Sequence, residues 1–166
     1  MPTLLVLRHG KSDWDAEYGV DAERPLAKRG RRAATTIGRH LAEVGPRPTL
    51  ALTSPAVRAR DTLERVLAAA GFDCPTRVVA SFYGHGTDAV LDELRRLRGS
   101  PEVVIVVGHE PTWSDLIATL TGSVVRFPTA ALAQLDVDTE WAQLGPDSAV
   151  LTWLVLPRDL EAAEQS

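Results

Sequence analysis

Leu4-Leu5-Val6-Leu7-Arg8-His9-Gly10-Lys11-Ser12-Asp13-Trp14 ends a short apolar run in two basic side chains and a glycine. A run of this length that never alternates with polar residues is the pattern of a strand buried on both faces, and such strands belong to parallel sheets covered by helices. Gly10-Lys11-Ser12 imitates the close of a nucleotide-binding P-loop. That reading fails on spacing, because the loop's first glycine belongs five positions upstream, where Leu5 stands inside the strand. The strand delivers an arginine beside a histidine instead.

Working outward, the spacing turns helical from Ala33, with Ala34, Ile37, Leu41 and Val44 on one stripe and Gly45-Pro46 as the stop. "TLALTS" predicts a second strand closed by Pro55, followed by a helix with Leu63, Val66, Leu67 and Ala70 inward that ends at Gly71. "TRVVA" predicts a third strand, and Asp88 to Leu97 a helix with Val90, Leu91, Leu94 and Leu97 inward. "VVIVV", Val103 to Val107, is the plainest buried strand, and the helix from Thr112 to Leu120 groups Trp113, Leu116, Ile117 and Leu120. "ALAQLDV" and "AVLTWLVL" close the sheet, and the final "LEAAEQS" reads as a frayed, solvated tail. Alternating strands and helices predict an α/β fold: a three-layer sandwich whose mostly parallel central sheet is flanked by helices on both faces.

The chain has 166 residues, 45% of them hydrophobic, which fits one domain over residues 1–166. A formal charge of -4 gives the whole molecule no attraction to nucleic acid or anionic lipid, so any bound anion must be held by a local cluster. The single cysteine, Cys74, makes no internal disulfide, and no Cys/His spacing calls for zinc, as expected of a cytoplasmic protein. No stretch approaches the roughly 20 apolar residues that cross a bilayer, and the Leu4–Leu7 run is too short for a secretory signal. A soluble protein with no membrane partner is expected.

In an open parallel sheet, ligands bind beyond the carboxyl ends of the strands. The first strand delivers Arg8-His9-Gly10, the second "TSPAVRARDT" with Arg58 about one turn into the next helix, and the strand ending at Val107 delivers Gly108-His109-Glu110-Pro111. Two arginines and two histidines therefore point to one edge. A neutral imidazole attacks phosphorus well, and a phosphohistidine intermediate divides one hard displacement into two easier ones; His9 is the candidate. Arg8 and Arg58 are planar forks suited to the equatorial oxygens of a transferring phosphoryl group. His109, if protonated, adds a donor, and the helix N-terminus after Pro111 adds backbone N–H groups. Gly10 and Gly108 would let a phosphate or the backbone come close.

These motifs, "RHGKSDW", "ERPLAKRGRRAA", "TSPAVRARDT" and "VVIVVGHEPTWSDLIATLTG", span most of the chain and resemble the histidine phosphatase superfamily, the phosphoglycerate-mutase-like fold. The short length with "RHGKSDW" and "VGHEP" is similar to the small phosphohistidine phosphatases of the SixA type. The resemblance implies a nucleophile at His9, phosphate-binding arginines at Arg8 and Arg58 and a second histidine at His109, with no cofactor and no metal. Two departures matter. Asp13 and Asp15 flank Trp14 where the mutase branch carries an asparagine, and "ASFYGHGTDAV" lacks the glutamate that serves mutases and many phosphomonoesterases as general acid. An alkoxide leaving group needs a proton, whereas a phosphorylated imidazole leaves more readily, so the gap favours phosphohistidine in a protein over a phosphate ester. His85 is the one nearby imidazole that could act as proton donor, and Ser12 is a modest candidate for phosphate contact.

Competing patterns are weaker. "GHGTDA" resembles a dinucleotide fingerprint, but Ser81, Phe82 and Tyr83 separate it from its strand. His109-Glu110 starts like H-E-x-x-H and meets Trp113 at the fifth place, and no G-x-S-x-G occurs. His40, inside a helix, reads as a surface or boundary histidine. The basic run Lys28 to Arg32 is either a solvated first turn or a docking patch for an acidic protein. The long segment holding Asp21, Glu23 and Arg24 is expected to fold as a lid or substrate-reading loop. The expected partner is a phosphorylated protein, with two alternatives: a small phosphorylated metabolite as substrate, or a non-catalytic module that only recognises phosphate.

Overall fold

The computed structural model describes residues 1–164. Its strands are β1 (Thr3–Arg8), β2 (Leu50–Thr53), β3 (Thr76–Val78), β4 (Val103–Gly108), β5 (Leu132–Val137) and β6 (Ala149–Val155). They form one sheet in the order β3-β2-β4-β1-β5-β6. The first four strands of that order pair in parallel, and β5 and β6 pair antiparallel at one edge. The helices are α1 (Lys28–Val44), α2 (Val57–Ala70), α3 (Gly86–Arg95), α4 (Thr112–Thr121) and α5 (Pro157–Glu164).

Strand alternation divides the core in two. Leu4, Val6, Val104 and Val106 face α3 and α4, meeting Val90, Leu94, Trp113 and Leu116. Leu5, Leu7, Ile105 and Val107 face the other way, against Ile37 and Leu41 of α1 and Leu63 and Val66 of α2. Because both faces are covered, β1 and β4 have no polar side to show, which explains their unbroken apolar runs.

Three elements differ from expectation. The helix α1 starts at Lys28, five residues before the apolar stripe becomes visible, so the basic run lies within it; Val44, at its far end, is half exposed. β3 is a three-residue edge strand with exposed side chains. The "LEAAEQS" tail is not frayed over its described part: α5 starts on Pro157, whose fixed φ suits a first helical position, and Leu160 packs on the α1–α2 side of the core. Residues 165 and 166 lie outside the described residues. None of the described helices is long and apolar enough to cross a membrane.

Candidate active site

Strand register sets the site. β1 and β4 are parallel neighbours with Arg8 opposite Gly108, so the next residue of each strand is a histidine beside a histidine. The His9 and His109 ring centroids are 5.1 Å apart, tilted by 54°. β2 lies on the far side of β4 with Thr53 opposite Val107, which puts Ser54 level with Gly108, one residue short of His109, and Ser54 Oγ shares a 2.7 Å hydrogen bond with His109 Nε2.

His9 is buried, with its backbone N–H bonded to Gly108 O and its own carbonyl accepting from Ala130 N–H. Its ring Nδ1 lies 2.7 Å from the Gly10 carbonyl. A carbonyl only accepts, so Nδ1 carries the hydrogen and Nε2 keeps the lone pair. Desolvation pushes the His9 pKa down to about 3, and the nearby charges of His109, Arg58 and Arg8 add to the shift. His109 falls to about 4, again chiefly through burial, with Arg58 as the main charge acting against it. The condition set above for His109 to donate, a proton on its ring, is therefore not met by burial alone: both imidazoles are neutral near pH 7.

Arg8 donates from Nη1 to the Phe127 carbonyl at 3.1 Å. Arg58 stands in the first turn of α2, its side chain buried, and donates from Nη1 to Asp21 O at 2.8 Å and from Nη2 to Asp21 Oδ2 at 2.9 Å. The Tyr83 hydroxyl donates to the same carboxylate oxygen at 2.6 Å, and its ring meets His109 edge-on at 5.4 Å. Tyr83 first, and Arg58 after it, hold the Asp21 carboxyl below the usual carboxylate range. Arg24 pairs with Asp21 Oδ1 at 3.2 Å while the largely exposed Trp14 ring caps its guanidinium at 3.4 Å. Nε of Arg8, Arg24 and Arg58 is buried with no hydrogen-bond partner. Buried donors left open on three guanidinium groups make this end of the sheet a place for an oxyanion.

The segment expected to fold as a lid or substrate-reading loop is a strap here. Ser12 bridges Leu26, Ala27 N–H bonds Lys11 O and Asp13 N–H bonds Pro25 O, so residues 13–25 leave and return at one point, and the 3-10 turn Asp21–Glu23 reaches Arg58. The glycines serve backbone packing. A Cβ on Gly10 would lie 2.9 Å from Gly30 O, and one on Gly30 only 2.2 Å from Lys11 O, so α1 crosses the His9 loop with no room for a side chain. At Gly108 it is the Trp113 ring, 2.6 Å from a built Cβ, that fills the space.

Arg8, His9, Arg58 and His109 thus come together. Ser12 is buried at the base of the strap, and its hydroxyl makes no hydrogen bond to the described residues. His85 is exposed just ahead of α3, and no described contact ties it to the cluster; Tyr83 occupies the approach from that segment. The α4 N-terminus is also not free, because Trp113 N–H bonds His109 O and Ser114 N–H bonds Glu110 Oε1. Sequence reasoning assigned nothing to Ser54 or Tyr83. Position was the available signal for Ser54, which directly follows β2 as the two histidines follow β1 and β4.

The profile of the histidine phosphatase superfamily (branch 1) matches residues 4–82. Rv1276c, an uncharacterized protein of Mycobacterium tuberculosis, is 36% identical over 92% of this chain and 100% of its own length. The chain belongs to the histidine phosphatase superfamily. Among solved structures, this histidine phosphatase is similar to a protein assigned as the phosphohistidine phosphatase SixA of Nakamurella multipartitia, with a TM-score of 0.83, 28% identity and coverage of 94% and 96% of the two chains. A protein assigned as SixA from Agrobacterium tumefaciens gives a TM-score of 0.79 at 26% identity over 94% and 98%. Superfamily membership supports a phosphatase activity for this chain.

Proposed function

We propose that the chain is a metal-independent protein phosphohistidine phosphatase that works through phospho-His9. The observation that carries this reading is the His9 ring itself: buried, neutral, its Nδ1–H fixed on Gly10 O and its Nε2 free beside two arginines. Nε2 attacks phosphorus, the P–N bond to the substrate imidazole breaks, and that imidazole leaves neutral because its other nitrogen already carries a proton. Arg8 and Arg58 bind the equatorial oxygens, supplying the charge that a divalent cation supplies elsewhere. An arriving phosphate opposes the desolvation that keeps His109 neutral, so His109 gains a proton and becomes a donor as substrate binds. Water then attacks phospho-His9 and returns the ring with inorganic phosphate. Nδ1–H stays on Gly10 O throughout, so the phosphorylated ring is an imidazolium, a good leaving group.

The choice of a P–N substrate rests on the missing acid. Asp21 is the carboxyl hydrogen-bonded to Arg58, and Tyr83 and Arg58 keep it ionised at neutral pH, which makes it a poor proton donor to an alkoxide. Turnover of a histidine-phosphorylated protein and of a chromogenic phosphate monoester should be measured side by side, with and without chelator. Rapid quenching should trap an acid-labile phosphoryl group on His9, and His9→Ala should abolish both the label and turnover. A His9→Ala protein with full turnover overturns the mechanism, and turnover of the monoester alone overturns the substrate class.

A further inference from the structure

A groove of about 810 Å³ is lined by Lys11, two positions after His9, by Arg29, Arg32 and Arg39 of α1, by Arg126 ahead of β5 and by Arg158 of α5. Two further arginines on its wall are engaged elsewhere, Arg31 with the Leu26 carbonyl and Arg65 with Asp61. Glu161 is its one carboxylate among the described residues. This concentration of positive charge sits on a chain whose net charge is -4.

The side chains of Lys11, Arg29, Arg32, Arg39 and Arg126 are exposed and make no ion pair among the described residues. Positions 29, 32 and 39 recur on one face of α1 and span about 15 Å at the helical rise. Like charges gathered on one face repel, and no ion pair among the described residues offsets them. A single phosphate needs donors that converge on one point. These donors are spread along a line, which suits an extended acidic surface.

Two chain neighbours tie the groove to the histidine cluster. Lys11 follows Gly10 directly, and Arg126 precedes Phe127, whose carbonyl holds Arg8. We propose that the groove is a docking surface for an acidic protein, which lays its carboxylates along α1 while its phosphorylated histidine enters the pocket. This rests on the reading of the chain as a protein phosphohistidine phosphatase and adds where the substrate's specificity is read. A nucleic acid is the weaker occupant, since no aromatic side chain lines the groove for a base to stack on.

The test is the triple variant Arg29→Glu/Arg32→Glu/Arg39→Glu, with Arg→Gln at the same places as a milder form. Substrates are a small acidic protein phosphorylated on histidine and the free amino acid phosphohistidine, each at low and high salt. Steered rim charges act on encounter, so KM for the protein should rise about tenfold or more with kcat kept within about twofold, and the parent's salt dependence should vanish. Turnover of free phosphohistidine should not change, which also shows that the variant is folded. A parent that hydrolyses the phosphoprotein and a triple variant with the same KM overturn the groove alone. A parent that hydrolyses only small phosphates overturns the phosphoprotein reading, and the groove proposal falls with it. Loss of binding to a DNA duplex in the variant, with phosphoprotein KM unchanged, overturns the acidic protein in favour of a nucleic acid.

Discussion

Arginine is used in two opposite ways on neighbouring faces of this molecule. At the strand ends, Arg8, Arg24 and Arg58 are pinned by the Phe127 carbonyl, Asp21 and the Trp14 ring, and on each of them Nε is buried without a hydrogen-bond partner. Along the groove, Arg29, Arg32 and Arg39 are exposed and form no ion pair among the described residues. Buried and aimed cations cost desolvation and lose little further freedom when a phosphoryl group arrives, so they serve a reaction. Exposed cations on flexible stems are screened and individually weak, so they serve encounter. A conservative change should therefore be severe in the first group and silent in the second.

Arg58 gives the largest effect. Arg58→Ala should lower kcat/KM by about two to three orders of magnitude, as expected for a lost preorganised donor at a developing charge. Arg58→Lys should recover little, because a point charge cannot bond Asp21 O, Asp21 Oδ2 and a phosphoryl oxygen together from one rigid plane. Steady-state kinetics on a histidine-phosphorylated protein reads this, and near-parental activity of the lysine variant would erase the distinction drawn above.

Next is the floor beneath the His9 loop. Gly30→Ala places a methyl group 2.2 Å from the Lys11 carbonyl, a backbone atom that can yield only by moving the His9 loop away from α1. Stability should fall by about 2–3 kcal/mol in urea titrations, with activity lowered in the fraction that stays folded. Gly30 lies inside the basic run, so one short stretch carries both a position that admits no side chain and positions that tolerate any.

This mixture explains what was and was not legible in the sequence. The parallel core and the placing of Arg8, His9, Arg58 and His109 were legible because burial on both faces forces unbroken apolar runs, and the site follows wherever those runs end. α5 was missed because Leu160 is the main apolar residue facing inward from a short, polar helix, and tertiary packing on the α1 side decides its state. A close approach at Gly10 could be read, of a phosphate or of the backbone, but not which backbone, since its partner Gly30 is twenty positions away and the contact exists only once α1 crosses the loop. Ser54 and Tyr83 carry no titration signal near neutrality and became visible through contacts with His109 and Asp21.

The buried imidazoles give a smaller, pH-dependent effect. In the unfolded chain each takes a proton near pH 6.5, whereas in the fold His9 stays neutral to about 3 and His109 to about 4. Between those values the unfolded state binds more protons, so stability falls as pH drops from about 6.5, and the loss levels off below the folded values. Replacing His9 by Asn removes one such group. The slope of stability against pH between 6 and 5 should then flatten by about 1 kcal/mol per unit, measured by denaturant unfolding across the range. Equal slopes in parent and variant would mean that His9 is not desolvated as its surroundings imply.

The smallest expected effect is at Arg39, where the comparison is sharpest. Arg39 is exposed, pairs with no acidic group among the described residues and lines the groove with the other cations of α1. Arg39→Gln removes one member of a repelling row and keeps a good helix former, so stability should stay within about 0.5 kcal/mol and tend upward at low salt. Thermal unfolding at two ionic strengths reads this. A loss above 1 kcal/mol would mean that Arg39 has a structural partner, and the groove would then belong to the fold rather than to an encounter. A gain that fades as salt is added is the signature of charges gathered against their own repulsion, for something outside the chain.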